Sequence, residues 1–201
     1  MLILSFACKD KTSNKNKEIP PPAIEDTSLR NKKEATLRQL TNEILSAIKQ
    51  GEYRKFANFI DPVNGVRFSP YGYVDTLRDM VFSKERFLQY VDMTEQDKLI
   101  WGAFDGTGDT ILMTIDEYFK RFVYDVDFLN AEKRKMNQYF GVGNSLRNIK
   151  AVYKDCDFIE NHFQGFEKKY EGMDWRSLRL VFCNRDNRYY LKGLVHDQWT
   201  I

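Results

Sequence analysis

Both histidines of this 201-residue chain lie near carboxylates in its C-terminal part, in Glu160-Asn161-His162 and His196-Asp197. Residues two apart on a strand share a face, so Glu160 and His162 point the same way. If the strands carrying them are neighbours in a concave sheet, His196 joins the pair. A carboxylate near an imidazole makes a general base, and isomerase- or hydratase-like chemistry is what such a pocket could support. Imidazole and carboxylate also ligate metals, but two histidines at no fixed spacing give no recognisable ligand set, so no metal is expected. The alternative is structural: both histidines as half-buried strand residues bonded to backbone or tyrosine.

Other chemistries have less to stand on. Ser69 precedes Pro70 and Ser177 lies between Arg176 and Leu178, neither in a nucleophile-elbow sequence. Cys156 and Cys183 sit in no catalytic or zinc-binding context. Gly141-Val-Gly143 does not continue as a phosphate-cradling loop. Asp105-Gly-Thr-Gly-Asp109 has some oxygen ligands of a calcium loop without its closing glutamate, and reads as a turn. No cofactor is expected.

Aromatic residues make up 14% of the chain, its one compositional excess. Tyr71, Tyr73, Trp101, Trp175 and Trp199 fall near expected loops or strand ends. With Arg67, Asp174 and Arg176 they form a candidate ligand cleft, apolar with a few polar groups. Taken alone, each ring reads as core; as a group they are the candidate binding surface.

These side chains must be positioned by a mixed fold. Leu37, Leu40, Ile44, Ala47 and Ile48 recur at three- and four-residue spacing and predict an amphipathic helix, with Ser28 as N-cap and Gly51 as stop. A short helix carrying Tyr53, Phe56, Ala57 and Ile60 should end at Asp61-Pro62, followed by extended chain through Asp75. Ser83 can cap a helix bearing Phe87, Leu88 and Val91, and Leu99–Trp101 reads as a strand. Thr114-Ile-Asp-Glu117 is a capping box opening a helix with Ile115, Tyr118, Phe119 and Phe122 inward. Residues 123–155 read as a loop through Glu132-Lys-Arg-Lys135, then a short helix from Ser145 to Tyr153. Strands follow at Asp157–Phe163, Arg176–Cys183 and Tyr189–Asp197, the last two as a hairpin with Leu178, Leu180 and Phe182 on one face. A register joining Phe163 to Arg176 sets Cys156 opposite Cys183. Cross-strand Cβ separations of ~4.5–5.5 Å slightly exceed disulfide geometry, so proximity is expected more than a bond. The fold class is α+β: N-terminal amphipathic helices packed on a curved antiparallel sheet built mainly from the C-terminal part.

The N-terminal segment is of another kind. Met1-Leu-Ile-Leu-Ser-Phe-Ala-Cys8 runs into Lys9-Asp-Lys-Thr-Ser-Asn-Lys-Asn-Lys17 and then Pro20-Pro-Pro22. The junction resembles the lipobox of bacterial lipoproteins, which implies lipidation of Cys8, anchoring to a membrane and an extracytoplasmic place in the cell envelope. The other reading is a cytosolic chain with an apolar start. Three parts follow: a signal remnant and lipobox over 1–8, a flexible tether over 9–27, and one domain over 28–201. Residues 1–17 hold four lysines against one aspartate, so the chain's +2 leaves −1 on the rest. A near-neutral domain excludes nucleic acid as the expected partner. It leaves a small molecule, an envelope protein, or the membrane reached through the lipid.

Five blocks resemble an uncharacterised family of bacterial extracytoplasmic proteins: Gly65-Val-Arg-Phe-Ser-Pro-Tyr-Gly-Tyr-Val-Asp75, Trp101–Asp109, Phe122–Phe128, Tyr170–Phe182 and His196-Asp-Gln-Trp-Thr-Ile201. That resemblance implies location and no reaction. The element order also resembles the nuclear-transport-factor-2-like cone, a fold that hosts isomerases, binding modules and association domains alike. The leading expectation is a lipid-anchored, non-enzymatic module that binds a ligand or partner. The alternative is a small cone-fold enzyme using Glu160, His162 and His196.

Overall fold

The computed structural model describes residues 27–93, 97–141 and 146–200. Cys8 and nearly all of the tether lie outside them. The leading helix, α1, spans Thr27–Lys49 and buries Leu37, Thr41, Ile44, Leu45, Ala47 and Ile48. Thr41 is tolerated in that stripe because its hydroxyl donates to the Leu37 carbonyl at 2.8 Å. Gly51 ends the helix with φ of +69°. The Gly51 amide donates to Ile48 and the Glu52 amide to Ala47, the paired bonds that satisfy the last carbonyls.

The expected second helix divides. Tyr53–Phe56 is α2, Ala57–Phe59 is a 3₁₀ turn, and Ile60 is extended, bridging to Leu191. Then come β1 (Val66–Ser69), β2 (Met80–Phe82) and α3 (Lys84–Val91), which Ser83 caps by accepting from the Arg86 amide. A two-stranded hairpin pairs β3 (Leu99–Ala103) with β4 (Thr110–Met113) across Asp105–Asp109. The Thr114 capping box forms with both of its bonds and opens α4 (Ile115–Tyr118), which continues as a π-helical turn over Phe119–Val123.

The charged stretch expected to be a loop contains a strand, β5 (Lys133–Met136). It is the sheet edge, where outward Lys133 and Lys135 discourage pairing with other chains. The helix expected over 145–153 is a four-residue turn, α5 (Ile149–Val152). The last strands are β6 (Cys156–Phe163), β7 (Arg176–Arg185) and β8 (Arg188–Gln198). Asp186 and Asn187, both with positive φ, make the two-residue turn between β7 and β8. That geometry follows the sheet's twist, and short Asx side chains tolerate it.

The six-stranded sheet has the order β2-β1-β8-β7-β6-β5, antiparallel except for the β1–β8 pair. One face carries Ile159, Leu178, Leu180, Phe182, Leu194 and Phe68 and packs against α1, forming the main core. The other carries Phe158, Val181 and Val195, covered by Val74, Ile149 and Tyr153. The fold is thus α+β, with an N-terminal helix and a large, mainly antiparallel sheet. Phe163 pairs with Arg176 and Cys156 with Cys183, the register expected from the sequence. The cysteines go further than expected: with their Cα atoms 4.4 Å apart they form a disulfide.

Candidate functional site

A cleft of about 710 Å³ opens between the loop after β1 and the β3–β4 hairpin, lined by Tyr71, Tyr73, Asp75, Asp79, Phe104 and Asp105 among others. Its volume falls within the ~300–1,000 Å³ typical of small-molecule sites. The loop is held from beneath. One guanidinium nitrogen of Arg67 donates to the carbonyls of Asp75, Thr76 and Asp79 at 3.4, 3.3 and 3.1 Å. Asn148 clamps Val74 by accepting from its amide at 2.7 Å and donating to its carbonyl at 2.9 Å. Opposite, Gly102 turns with φ of +129°, and a Cβ there would sit 3.8 Å from Asp79 Oδ1.

Asp79 is the buried polar group of this cleft, at 8% exposure. Its Oδ2 accepts from the Ser69 hydroxyl and from the Asp75 amide at 2.9 Å. No described residue donates to Oδ1. Burial pushes the Asp79 carboxyl up to about 7, against the opposing pull of Ser69, Asp75's amide and Arg67. Folding therefore takes up a proton between about pH 4 and 7, and stability falls as pH rises through that window by up to ~1.4 kcal/mol per pH unit. Asp79→Asn keeps an acceptor for Ser69 and Asp75 and removes the titration. In urea melts at fixed pH, the variant should gain on the parent from pH 4 to 7 and hold that lead above it. A difference that stays flat with pH would mean that Asp79 titrates as an ordinary surface carboxylate.

A second arrangement occupies the sheet face away from α1. Arg179, fully buried, reaches Glu160 at 3.0 Å and Asp197 at 2.8 Å, and Arg147 lies 3.3 Å from Asp197. Burial acts to lower the Arg179 pKa, but the two carboxylates outweigh it and hold it above its ordinary value. Ser177 donates to Glu160 at 2.7 Å, and His162 Nδ1 lies 2.8 Å from the same hydroxyl. A carboxylate only accepts, so the serine proton points at Glu160 and the imidazole donates from Nδ1. Among the described residues nothing bonds Nε2, and His162 lines a smaller cleft of about 450 Å³ with Phe140, Trp175 and Trp199. Burial holds the His162 pKa below its ordinary value. The two sites touch at Gly72, where a Cβ would come within 2.8 Å of the Asp197 carboxylate.

The structure separates the residues that the sequence grouped. Glu160 and His162 do share a face, but His196 points to the opposite one. Its Nδ1 lies 3.1 Å from the Pro70 carbonyl and its Nε2 3.3 Å from Asp125 Oδ1, so it sits between two loops in the core. The expected convergence of His162 and His196 does not occur. In the aromatic group, Tyr71 and Tyr73 line the larger cleft and Arg67 supports it from behind. Trp101 does not belong there: it is 0% exposed, stacked on Tyr118 at 3.9 Å, and donates to the Met113 carbonyl at 2.9 Å. Trp175 lines the other cleft. Asp174 accepts from the amides of Phe166 and Glu167, and Arg176 pairs with Asp125 at 2.9 Å, so both hold loops. Sequence reasoning missed Asp79, Phe104, Arg179 and Arg147. Nothing local in the sequence distinguishes Asp79 from the half-buried Asp75 or the exposed Asp92.

Among the described residues, no cluster of His, Cys, Asp or Glu is placed to hold a metal ion, and no helix is long and apolar enough to cross a membrane. No family model and no curated protein matches the chain. Among solved structures it is similar to a calcium/calmodulin-dependent protein kinase II association domain from Xanthomonas campestris, at 12% identity and a TM-score of 0.33, over 79% of this chain and 82% of that one.

Proposed function

We propose that this chain is a small-molecule-binding module of the bacterial cell envelope, held at a membrane by lipid on Cys8, with the Tyr71–Asp79–Phe104 cleft as its site. The observation that carries the reading is the cleft itself: ligand-sized, aromatic on its walls, with one buried carboxylate in a loop that Arg67 and Asn148 hold in place. Preorganisation of that kind reduces the ordering cost of binding. A cone-like curvature of the sheet belongs to the same reading, supported by the bulge in the β7–β8 pairing beyond Val181.

Ligand-observed NMR of a fragment collection tests the site. Fragments bound by the parent should lose about tenfold or more in affinity with Tyr71→Ala, which removes an aromatic wall, and should keep it with Trp175→Ala. The reverse pattern would move the site to the other cleft. The anchor is tested separately by metabolic labelling with an alkyne fatty acid in a bacterial host. Cys8→Ala should abolish labelling and membrane partitioning, and unchanged labelling would remove the anchor from the proposal.

The Glu160–Ser177–His162 chain favours a second reading, a small enzyme with His162 Nε2 as general base. It requires Nε2 to be open to reagents. Diethyl pyrocarbonate should then modify His162 well before the buried His196, and equal rates would end this reading.

A further inference from the structure

We propose that the Tyr71–Asp79–Phe104 cleft takes a ligand carrying a cationic nitrogen, an ammonium or methylated ammonium group seated against Asp79 Oδ1 between aromatic walls. This deepens the binding-module reading and rests on it. Three observations point to the class.

The first is an imbalance of charge. Among the described residues that line it, the cleft presents the carboxylates of Asp75, Asp79 and Asp105 against one cation, Arg78. Arg78 is 73% exposed and only 3.9 Å from Asp75 at its nearest, a loose pair at the rim. Arg67 lies closer to Asp79, but the nitrogen that faces this loop is engaged with three backbone carbonyls. Asp105 accepts from the Thr200 hydroxyl at 2.6 Å and Asp75 from the amides of Leu77 and Arg78. Asp79 is the most buried of the three carboxylates, and its Oδ1 has no donor among the described residues.

The second is that spare oxygen. Asp79 lines the cleft, and a carboxylate oxygen with no donor among the described residues is open to one from a ligand. Oδ2 takes both of Asp79's hydrogen bonds, while Oδ1 faces the gap opposite Gly102. An N–H donor or a compact cation from the ligand would complete it.

The third is the wall chemistry. The rings of Tyr71 and Phe104 lie 5.8 and 6.2 Å from Phe122, so both flank one point in the core beneath the cleft. Aromatic faces attract cations, by about 2 kcal/mol or more where water is excluded. The hairpin opposite presents Gly106 and Gly108, beside which the space is open. A bulky headgroup can enter on that side.

The carboxylate must be ionised to hold a cation, so binding should strengthen as pH rises through about 7. The groups set against Asp79 are Arg67 of β1, the Asp75 amide and carboxylate of its own loop, Ser69, Tyr118 of α4 and Tyr153 after α5. Burial raises both tyrosine hydroxyls above their ordinary value, Tyr153 to about 12, so neither titrates in this window.

The test uses choline, its neutral isostere 3,3-dimethylbutan-1-ol and the anion 3,3-dimethylbutyrate, titrated into the protein while the amide resonances of Gly102, Gly106 and Gly108 are followed by NMR. Choline should shift these resonances saturably and bind at least about tenfold tighter than the alcohol at pH 8, a ratio that shrinks at pH 6. Asp79→Asn should erase the preference for choline over the alcohol. If the alcohol or the anion binds within tenfold of choline, the cation class is wrong and the cleft reading survives. If no probe moves the glycine amides, both fall. Should Asp79→Asn fail to fold, the choline-to-alcohol ratio and its pH dependence in the unmodified protein decide alone.

Discussion

Replacing Arg179 with Met should destabilise the protein by ~3–5 kcal/mol, because Glu160 and Asp197 both lose the buried cation they share, with Arg147 remaining beside Asp197 and the Ser177 hydroxyl on Glu160. Both carboxylates are fully buried, and the same guanidinium nitrogen serves each of them. Tyr139, whose ring lies 4.9 Å from the Arg179 guanidinium carbon, cannot replace it. Neutralising the partners as well, with Glu160→Gln, Arg179→Met and Asp197→Asn together, should restore much of the loss, since removing the Glu160–Arg179–Asp197 charges together costs less than removing their shared cation alone. Urea unfolding of the single and triple variants gives the comparison. A single variant costing less than ~1 kcal/mol would mean that water reaches the cluster. A triple variant no better than the single would assign the cost to packing and not to charge.

Trp101→Ala should cost a similar ~3–5 kcal/mol through loss of a large buried ring. That ring stacks on Tyr118 and meets Phe68 edge-on at 5.5 Å, and its N–H satisfies the Met113 carbonyl that closes the β3–β4 hairpin. For a domain of this size the expected drop in melting temperature is ~2–4 °C per kcal/mol. Tyr71→Ala, in the cleft wall, should lower ligand affinity with a much smaller drop. If Trp101→Ala instead left the melting temperature in place, its position in the core would be wrong.

Much of the scaffold was legible because it depends on spacing. The α1 stripe, its Gly51 stop, the Ser83 and Thr114 caps and the closing hairpin all appear where residue type and period placed them. Even the β6–β7 register followed from letting Phe163 meet Arg176. The strand β5 stayed hidden because Lys133, Arg134 and Lys135 lack the apolar alternation that marks a strand, and an edge does not need it. The histidine pair shows a different limit. Across the sheet from His162 stands Ser177, and across from Ser177 stands Asp197, one residue past His196. A one-residue difference in register decides which face a side chain takes, and composition does not carry it. The aromatic group failed for a simpler reason: Trp101 and Tyr71 have the same kind of side chain, and only packing separates the one in the core from the one in a cleft wall.

The pairing of β1 with β8 bears on how the molecule is made. These strands come from opposite ends of the described sequence, and β8 lies between β1 and β7 in the sheet. A ribosome therefore releases α1, β1 and β2 long before their partner exists, and such long-range pairing is slow to form. The cleft loop hangs from β1, and Thr200 reaches Asp105 from just beyond β8. A finished cleft should thus wait until β8 and Thr200 have been made. A nascent chain arrested before Arg188 would carry the helices and the β6–β7 pair without a finished pocket, and an early ligand would have nothing to hold.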